Sequence, residues 1–294
     1  MQVVVYSREF KPGDTAHIQL LFDTLHAEGI NAYVYRPYLE ALQGHIRFQR
    51  DVGVFEGYLD FAVKKLDFFI TLGGDGTILA ALMHIRDSGV PIVGINLGRL
   101  GFLACIEKRR IPEAISLLKR GMYQLDERRL LYLESNFPIF GETRFALNDF
   151  TLLKRDTSSM ITIHTYINGA YLNSYWSDGL IVSTPTGSTG YSLSCGGPII
   201  FPNSGNFVIT PVAPHNLSVR PIVISDNSVV SFEIEGRGEN FLCTLDSRFE
   251  TITAAHQLAV RKNDFNVRLA VLLDVDFLQT LREKLSWGAD SRNH

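Results

Sequence analysis

The chain has 294 residues, of which 46% are hydrophobic and 20% charged, and its 28 basic and 31 acidic side chains leave a net charge of −3. This composition is typical of a globular protein with one large domain or two modest ones. The near-neutral charge and the absence of a long Lys/Arg-rich run exclude a broad basic surface for binding nucleic acid or an anionic membrane. No apolar stretch approaches the roughly 18–20 residues that a membrane span needs.

Two further features bear on the compartment of the protein. Residues 1–6 contain neither a basic segment nor a small-residue cleavage site, which argues against export. The three cysteines, Cys105, Cys195 and Cys243, are too few and too scattered for a disulfide framework or a zinc site. We therefore expect a cytoplasmic protein.

Residues 1–121 alternate between apolar, strand-like runs and segments with a helical spacing of apolar residues. The predicted strands are 3–6, 31–35, 66–72 and 91–97, and the predicted helices run from Asp14 to Gly29, over 78–86 and from Pro112 to Gly121. This alternation predicts an N-terminal α/β domain with a parallel sheet. Residues 36–65 show no pattern that decides between helix and strand.

From residue 122 onward, short β-rich runs are separated by Gly, Asn, Asp and Pro, and no long helical pattern intervenes. The predicted strands are 144–153, 160–167, 180–184, 207–212, 222–224, 229–234 and 241–245. We expect a β-rich, β-sandwich-like second domain over 122–275. A last helical pattern begins at Asp276, and residues 276–294 are expected to pack back on the first domain.

A glycine-rich turn, Gly73-Gly74-Asp75-Gly76-Thr77, separates a predicted strand from a predicted helix. Glycines there let backbone N–H groups approach an anion, and the helix N-terminus adds partial positive charge, which suits a phosphate. The Asp75 carboxylate would repel a phosphate, so we expect it to face a hydroxyl or a metal ion, as a general base in phosphoryl transfer does. The structural alternative is a helix cap in a tight turn. Neither the P-loop nor the Rossmann spacing is present.

A second polar segment runs from Ser183 to Pro198, directly after the apolar residues 180–182. Its hydroxyls, its glycines and the ring of Tyr191 suit a nucleotide, because ribose and phosphate form hydrogen bonds and a base stacks. The alternative, a flexible Ser/Gly linker, fits poorly with the Pro, Tyr and Leu in the segment. Cys195 has no basic neighbour in sequence to lower its pKa, so we interpret it as a packed residue.

Two smaller polar features interrupt apolar sequence. The pair Asn148-Asp149 stands inside a strand-like run, where unbonded polar side chains are costly, so it marks either a bulge or a ligand contact. His215, which follows Ala213 and Pro214, is by itself more typical of a hydrogen-bonded structural histidine. Neither feature decides the function alone.

Together these segments resemble the bacterial NAD kinase family. The motifs that carry the resemblance, over about residues 70–220, are Gly73-Gly74-Asp75-Gly76-Thr77, Asn96-Leu97-Gly98-Arg99-Leu100-Gly101-Phe102-Leu103, Asn148-Asp149, Ser177-Asp178-Gly179 with the 184–198 run, and Ala213-Pro214-His215. Residues 281–287 also resemble the C-terminus of that family. Diacylglycerol, sphingosine and 6-phosphofructokinase-type enzymes carry loops similar to the first motif, whereas the 184–198 run is highly specific.

The resemblance implies an ATP-dependent transferase that phosphorylates the 2′-hydroxyl of the adenosine ribose of NAD, so that NADP is formed. It further implies a divalent metal, Mg²⁺ or Mn²⁺, carried mainly by the nucleotide phosphates, with no protein ligand named for it. It implies a homodimer or homotetramer with no nucleic-acid or membrane partner. Asp75 would be the general base, with Gly74 and Gly76 beside the phosphates. The NAD contacts would be Asn148 and Asp149, Asp178 at the nicotinamide end, and Thr189, Gly190, Tyr191, Ser192, Leu193 and Ser194 at the adenosine end.

The sequence departs from the usual pattern of that family at three places. Asp149 stands where Glu is common, which shortens the reach of its carboxyl by one methylene. Gly190 stands where Ala is common, which loosens the backbone. Asp246-Ser247-Arg248 replaces a common Asp-Gly-Gln, and whether Arg248 contacts a nucleotide stays open.

Two other functions fit parts of the sequence. A lipid kinase of the diacylglycerol or sphingosine type would share the first glycine turn, but it would leave Asn148-Asp149 and the hydroxyl-rich run unexplained. A non-catalytic NAD(P)-binding sensor would keep the dinucleotide site, but it would have no need of Asp75 beside phosphates.

Overall fold

The computed structural model describes residues 1–98, 101–155 and 159–287, so Arg99 and Leu100 of the second motif and residues 288–294 of the predicted C-terminal segment lie outside the described residues. The chain divides into two compact units, Met1–Glu127 with Val267–His294, and Arg128–Asn266. The sequence pattern predicts the division at 121/122 and 275/276 instead. Strands at 123–128 and 267–272 explain the difference, because both belong to the sheet of the first unit.

The first unit alternates strand and helix. Its elements are β1 (Gln2–Tyr6), α1 (Thr15–Ala27), β2 (Asn31–Tyr35), α2 (Arg36–Leu42), β3 (Gly53–Phe55), β4 (Phe68–Leu72), α3 (Asp75–Ile85), β5 (Ile92–Asn96), β6 (Ile106–Glu107), α4 (Ile111–Lys119) and β7 (Tyr123–Arg128). The undecided segment 36–65 contains α2, β3 and a short 3₁₀ helix at 58–62. The buried face of α1 consists of the residues whose spacing predicts it, Ile18, Leu21, Phe22 and Leu25.

The second unit is built almost entirely of strands. Its elements are β8 (Leu131–Ser135), β9 (Phe145–Ala146), β10 (Asp149–Lys154), β11 (Ile161–Ile167), β12 (Ala170–Ser177), β13 (Gly179–Ser183), α5 (Tyr191–Ser194), β14 (Asn206–Val212), β15 (Ile222–Ser225), β16 (Val230–Glu235), β17 (Phe241–Leu245), β18 (Arg248–Ile252) and β19 (Leu258–Lys262). They form two six-stranded sheets, ordered β15-β14-β13-β10-β17-β18 and β12-β11-β16-β19-β8-β9. The rings of Phe150 and Phe232, one from each sheet, stack with centroids 5.3 Å apart in a shared core. The predicted β-sandwich is confirmed.

The chain returns to the first unit with β20 (Val267–Leu272) and α6 (Phe277–Leu285). β20 pairs in parallel with β5 and belongs to an eight-stranded sheet ordered β3-β2-β1-β4-β5-β20-β7, in which β6 also pairs with β5. Strands β1 to β5 pair in parallel, as predicted for β1, β2, β4 and β5, and β3 adds a strand that the sequence pattern left undecided. None of the helices in the described part of the chain is long and apolar enough to cross a membrane.

Candidate functional site

A cleft of about 680 Å³ opens in the first unit, at the carboxyl ends of β1, β4 and β5. The strand order reverses between β1 and β4, and in open α/β sheets ligands bind outside the carboxyl ends of the strands at such a point. The residues that line the cleft include Arg8, Lys11, Gly73, Gly74, Gly76 and Asn96. The glycine-rich turn therefore lies where the sheet topology favours a ligand.

Asp75 is the first residue of α3, and the N-cap residue before it, Gly74, has no side chain with which to cap the helix. The Asp75 carboxylate accepts three backbone hydrogen bonds from one loop. Oδ1 accepts from the N–H groups of Leu103 (3.0 Å) and Ala104 (2.9 Å), and Oδ2 accepts from Phe102 (2.8 Å). A carboxylate has about four acceptor positions, so the donors among the described residues leave one position on Oδ2 for a further donor.

Gly101 begins the loop that the Asp75 carboxylate holds. A Cβ built on Gly101 would overlap that carboxylate, so the close approach of loop and side chain requires glycine here. With the Asp75 carboxylate bonded to this loop, the backbone of Gly73, Gly74 and Gly76 lines the cleft. Because the carboxylate is bonded to the loop while the glycine backbone lines the cleft, the repulsion expected between Asp75 and a phosphate in the same turn is reduced.

Arg8 is a cleft residue to which the sequence patterns did not point. Its Nη1 lies 3.8 Å from the position that a Cβ would take on Gly76, beside the N-terminus of α3. Among the described residues Arg8 makes no hydrogen bond or ion pair, whereas Lys11 pairs with Glu9 at 2.7 Å. A free guanidinium near the positive end of a helix is favourable when an anion sits beside both. In the sequence, the position of Arg8 just after the first predicted strand is the feature that could have identified it as a cleft residue.

In the second unit, the hydroxyl-rich run folds into a compact turn and not into a linker. The Thr184 hydroxyl donates to the carbonyl of Leu147 (2.5 Å) and accepts from the Gly187 N–H (3.1 Å). The Ser188 hydroxyl donates to the carbonyl of Pro185 (2.7 Å). These buried hydroxyls therefore hold the turn together.

The predicted adenosine-end residues differ in their exposure. Ser192 is buried, and its hydroxyl lies 2.8 Å from that of Thr210. Thr189 donates to the carbonyl of Thr186 at 3.2 Å. Tyr191 and Ser194 are exposed, while Gly190 and Leu193 are half-buried. Tyr191 is thus the exposed aromatic side chain of this turn.

Asn148 and Asp149 stand where β10 begins, and β10 pairs with both of its neighbours without a bulge. The carbonyl of Asn148 accepts from the Thr184 N–H at 2.9 Å. A Cβ on Gly187 would overlap that carbonyl, so the turn can approach β10 only with glycine at this position. The side-chain Oδ1 of Asn148 is buried and has no hydrogen-bond partner among the described residues. Such an atom is costly unless a ligand donates to it.

The Asp149 carboxyl is buried and accepts one hydrogen bond, from the Thr151 hydroxyl at 3.3 Å. Burial and, next, the nearby Asp246 raise the pKa of Asp149 to about 7. Asp149 therefore changes its charge near neutral pH. Asp246 was not among the residues predicted to form the site.

Asp178 and Tyr191 belong to the same region as Asp149. Burial raises the pKa of Tyr191, and the neighbouring Cys195, Asp149 and Asp178 raise it further. Asp178 pairs with Lys154 at 2.6 Å. The predicted residues thus form two groups, Gly74 to Gly76 in the first unit and those from Asn148 to Ser194 in the second.

Three residues left open by the sequence have structural partners. The guanidinium of Arg248 donates to the carbonyls of Thr143 and Phe145, two backbone groups of its own unit. His215 donates its backbone N–H to the carbonyl of Trp176, and its ring lies 4.2 Å from the Trp176 ring, centroid to centroid. Burial raises the pKa of the Cys195 thiol, in keeping with a packed residue.

The sequence matches two family models. Residues 41–123 match the ATP-NAD kinase N-terminal domain and residues 147–271 match the ATP-NAD kinase C-terminal domain. The chain is 46% identical over 294 residues to the NAD kinase of Cytophaga hutchinsonii and 42% identical over 295 residues to that of Flavobacterium psychrophilum, with 100% of both chains covered in each case. It is 40% identical over 292 residues to the NAD kinase of Bacteroides fragilis, covering 99% of this chain and 100% of the relative.

Two solved structures have the same fold. A yeast NADH kinase complexed with NADH has a TM-score of 0.86 at 21% identity, over 99% of this chain and 88% of that chain. An NAD kinase from Archaeoglobus fulgidus in complex with ATP has a TM-score of 0.74 at 21% identity, over 97% of this chain and 99% of that chain.

Proposed function

The chain belongs to the ATP-NAD kinase family, a family of phosphotransferases, and we propose from this membership that it transfers the γ-phosphoryl group of ATP to the 2′-hydroxyl of the adenosine ribose of NAD. The products are NADP and ADP. The observation that carries the proposal is full-length identity of 36–46% to curated NAD kinases, together with the site groups described above in both units.

The first-unit cleft is proposed to hold phosphates. The backbone of Gly74 and Gly76 and the N-terminus of α3 would contact phosphate oxygens, as glycine turns at helix starts do. Arg8 would add a guanidinium to the same phosphates, because it lies beside Gly76 and is unpaired among the described residues. Catalysis would then rest largely on positioning and charge neutralisation.

Asp75 is proposed as the general base. A ribose hydroxyl is a poor nucleophile at neutral pH, and a positioned carboxylate takes its proton as the oxygen attacks the γ-phosphorus. The bond from that phosphorus to the bridging oxygen of ADP then breaks. The proposal is supported by the loop N–H groups of Phe102, Leu103 and Ala104, which fix the direction of the carboxylate, and the remaining acceptor position on Oδ2 would take this proton.

The second-unit group is proposed to bind NAD. Asn148 would accept a donor on its buried, unpartnered Oδ1, and Asp149 would contact a ribose hydroxyl. Asp178 would meet the nicotinamide end. The adenosine end would lie on the turn from Thr189 to Ser194, where the exposed Tyr191 ring suits stacking.

The proposal names no protein ligand for the divalent metal. In the described ranges, no group of three or more His, Cys, Asp or Glu side chains is arranged to hold a metal ion. We propose that Mg²⁺ or Mn²⁺ enters on the phosphates of ATP, where it would neutralise the charge of the transferring group.

The alternatives lose support for specific reasons. A lipid kinase does not explain the match of 147–271 to the ATP-NAD kinase C-terminal domain. A sensor does not explain a carboxylate held by three N–H groups next to the phosphate cleft. The homodimer or homotetramer and the cytoplasmic location stay predictions, and light scattering on the purified protein tests the first.

One assay tests the proposed function. The protein is incubated with NAD, ATP and Mg²⁺, and NADP is detected with an NADP-specific dehydrogenase. We expect NADP to form, and its absence would favour the sensor or the lipid kinase. Replacing NAD with NADH and ATP with polyphosphate then defines the ranges of acceptor and donor.

A further inference from the structure

We propose that Asp246 is a positioning residue for NAD binding, because its carboxylate fixes Asn148 and Asp149 in the orientation in which they meet the nucleotide. The inference rests on the proposed function, from which it takes the role of Asn148 and Asp149 as NAD contacts. Asp246 lies in the turn between β17 and β18, almost one hundred positions away in the sequence.

Four hydrogen bonds join that turn to the start of β10. The Asp246 carboxylate accepts hydrogen bonds from three consecutive backbone N–H groups. Oδ2 accepts from Leu147 (3.0 Å), and Oδ1 accepts from Asn148 (2.7 Å) and Asp149 (3.2 Å). In return the Asp246 N–H donates to the carbonyl of Asp149 at 2.9 Å. Turning the backbone at Asn148 or Asp149 would break more than one of these bonds, so the side chains of both residues keep one direction.

The residue type at position 246 suits this task. Residue 246 has φ +54°, in the left-handed region, and Asp is one of the few residues with a Cβ that adopts this region readily. The residue is partly exposed as a whole, yet its carboxylate is enclosed, since burial is the largest cause that raises its pKa. The three N–H donors and the nearby Arg248 act in the opposite direction. Of these two neighbouring carboxyls, Asp246 accepts three N–H hydrogen bonds and Asp149 accepts one from a hydroxyl. Since hydrogen-bond donors stabilise the ionised form of a carboxyl, we assign the negative charge to Asp246.

Asp246 also acts on the charge of Asp149. Among the described residues, the groups that interact with Asp149 include Asp246 in the β17–β18 turn and Tyr191 at the start of α5. Arg248 on β18 faces Asp246, and Asp178 and Cys195 lie beside Tyr191. With Asp246 ionised, the pKa of Asp149 lies near 7. A hydroxyl of NAD donates to the ionised carboxylate, so NAD should bind more tightly as pH rises through 7. A residue that merely supports the fold would not move this pH dependence.

The test measures NAD affinity by calorimetry between pH 5.5 and 8.5, without ATP, on four proteins. These are wild type, Asp149→Asn, Asp246→Asn and the control Asp226→Asn. Asp226 is also a buried aspartate of the second unit, and its ion-pair partners are Arg129 and Lys262. It therefore controls for the general cost of removing a buried carboxylate.

In wild type we expect NAD affinity to rise through about pH 7, and in Asp149→Asn we expect this rise to disappear. Asp246→Asn should weaken binding about tenfold at high pH and move the rise to lower pH by about one unit, because the like charge beside Asp149 is gone. Asp226→Asn should leave the midpoint of the rise where wild type has it. An unchanged midpoint and affinity in Asp246→Asn would overturn the proposal.

If Asp246→Asn does not fold, the proposal remains testable in wild type. The ¹³C shifts of labelled aspartate carboxyls, with the Asp149 signal assigned from Asp149→Asn, should show Asp149 titrating near pH 7. Titration of Asp149 at the ordinary value of an exposed aspartate would refute the effect of Asp246. Failure of the proposed function has a different signature, since wild type would then neither bind NAD nor form NADP.

Discussion

The two units contain the same hydrogen-bonded arrangement in different electrostatic surroundings. Asp75 accepts the N–H groups of residues 102–104, and Asp246 accepts those of 147–149. Asp75 is half-buried next to an open cleft, whereas the Asp246 carboxylate is enclosed beside a second carboxyl, Asp149. Three N–H donors therefore do not define the chemistry of an aspartate. In the first unit, the remaining acceptor position of Asp75 can take a proton. In the second unit, the charge of Asp246 raises the pKa of Asp149.

The largest effect should come from Asp75→Asn. The variant loses the proton acceptor and replaces one carboxylate oxygen by a group that cannot accept the loop N–H groups. We expect kcat for NADP formation to fall by about 10²–10⁴-fold, while NAD affinity measured by calorimetry stays within a few-fold of wild type. Asp87→Asn, at an exposed aspartate of the same unit, is the control. Near-normal turnover would remove Asp75 from the general-base role.

Two glycine substitutions distinguish the catalytic role proposed for the first unit from the NAD-binding role proposed for the second. Gly101→Ala pushes on the Asp75 carboxylate and should mainly lower kcat, whereas Gly187→Ala pushes on the Asn148 carbonyl and should mainly raise KM for NAD. Overpacking of this kind costs about 1–3 kcal/mol, which corresponds to roughly a tenfold to hundredfold change. Gly13→Ala is the matched control, because a Cβ there meets nothing within 4 Å. If both variants changed the same kinetic constant, the division of roles would be wrong.

Arg8→Met tests whether the first-unit cleft holds the donor phosphates. Losing a charged hydrogen bond to phosphate costs about 1.5–3 kcal/mol, so KM for ATP should rise by roughly tenfold or more, with KM for NAD nearly unchanged. Arg36→Met removes an exposed arginine of the same unit that pairs with Glu56, and it should leave both constants near wild type. A selective rise in KM for NAD would place Arg8 on the acceptor side instead.

The smallest expected effect concerns stability without ligand. The pKa of Asp149, about 7, lies above its ordinary value of 3.8, so the folded protein holds this proton more tightly than the unfolded chain. That stabilisation is complete below about pH 4 and is lost as pH rises to 7. Asp149→Asn should therefore gain Tm relative to wild type between pH 4 and 7, by several °C or more, and the gain should level off above pH 7. A pH-independent Tm difference would contradict the raised pKa.

Much of the fold could be predicted because its signals are local. Strands β1, β4 and β5 are covered on both faces, so each reads as a nearly continuous apolar run. Strands such as β12 and β18 are half-exposed, and their mixed sequence carries no such run. The segment 36–65 stayed undecided because its helix and strand are short, seven and three residues long.

Residue patterns alone predict the two-part architecture and the positions of the glycine-rich turn, Asn148-Asp149 and the 184–198 run. These depend on residue spacing and on backbone freedom at glycine, which neighbouring residues decide. Three contacts are visible only in the folded chain: Asp75 accepts hydrogen bonds from residues 102–104, Arg8 lies beside Gly76, and Asp246 accepts hydrogen bonds from residues 147–149. Those contacts join positions that lie about 30 to 100 residues apart. A hydrogen bond across such a distance leaves no periodic pattern in the sequence, because it depends on how whole strands pair.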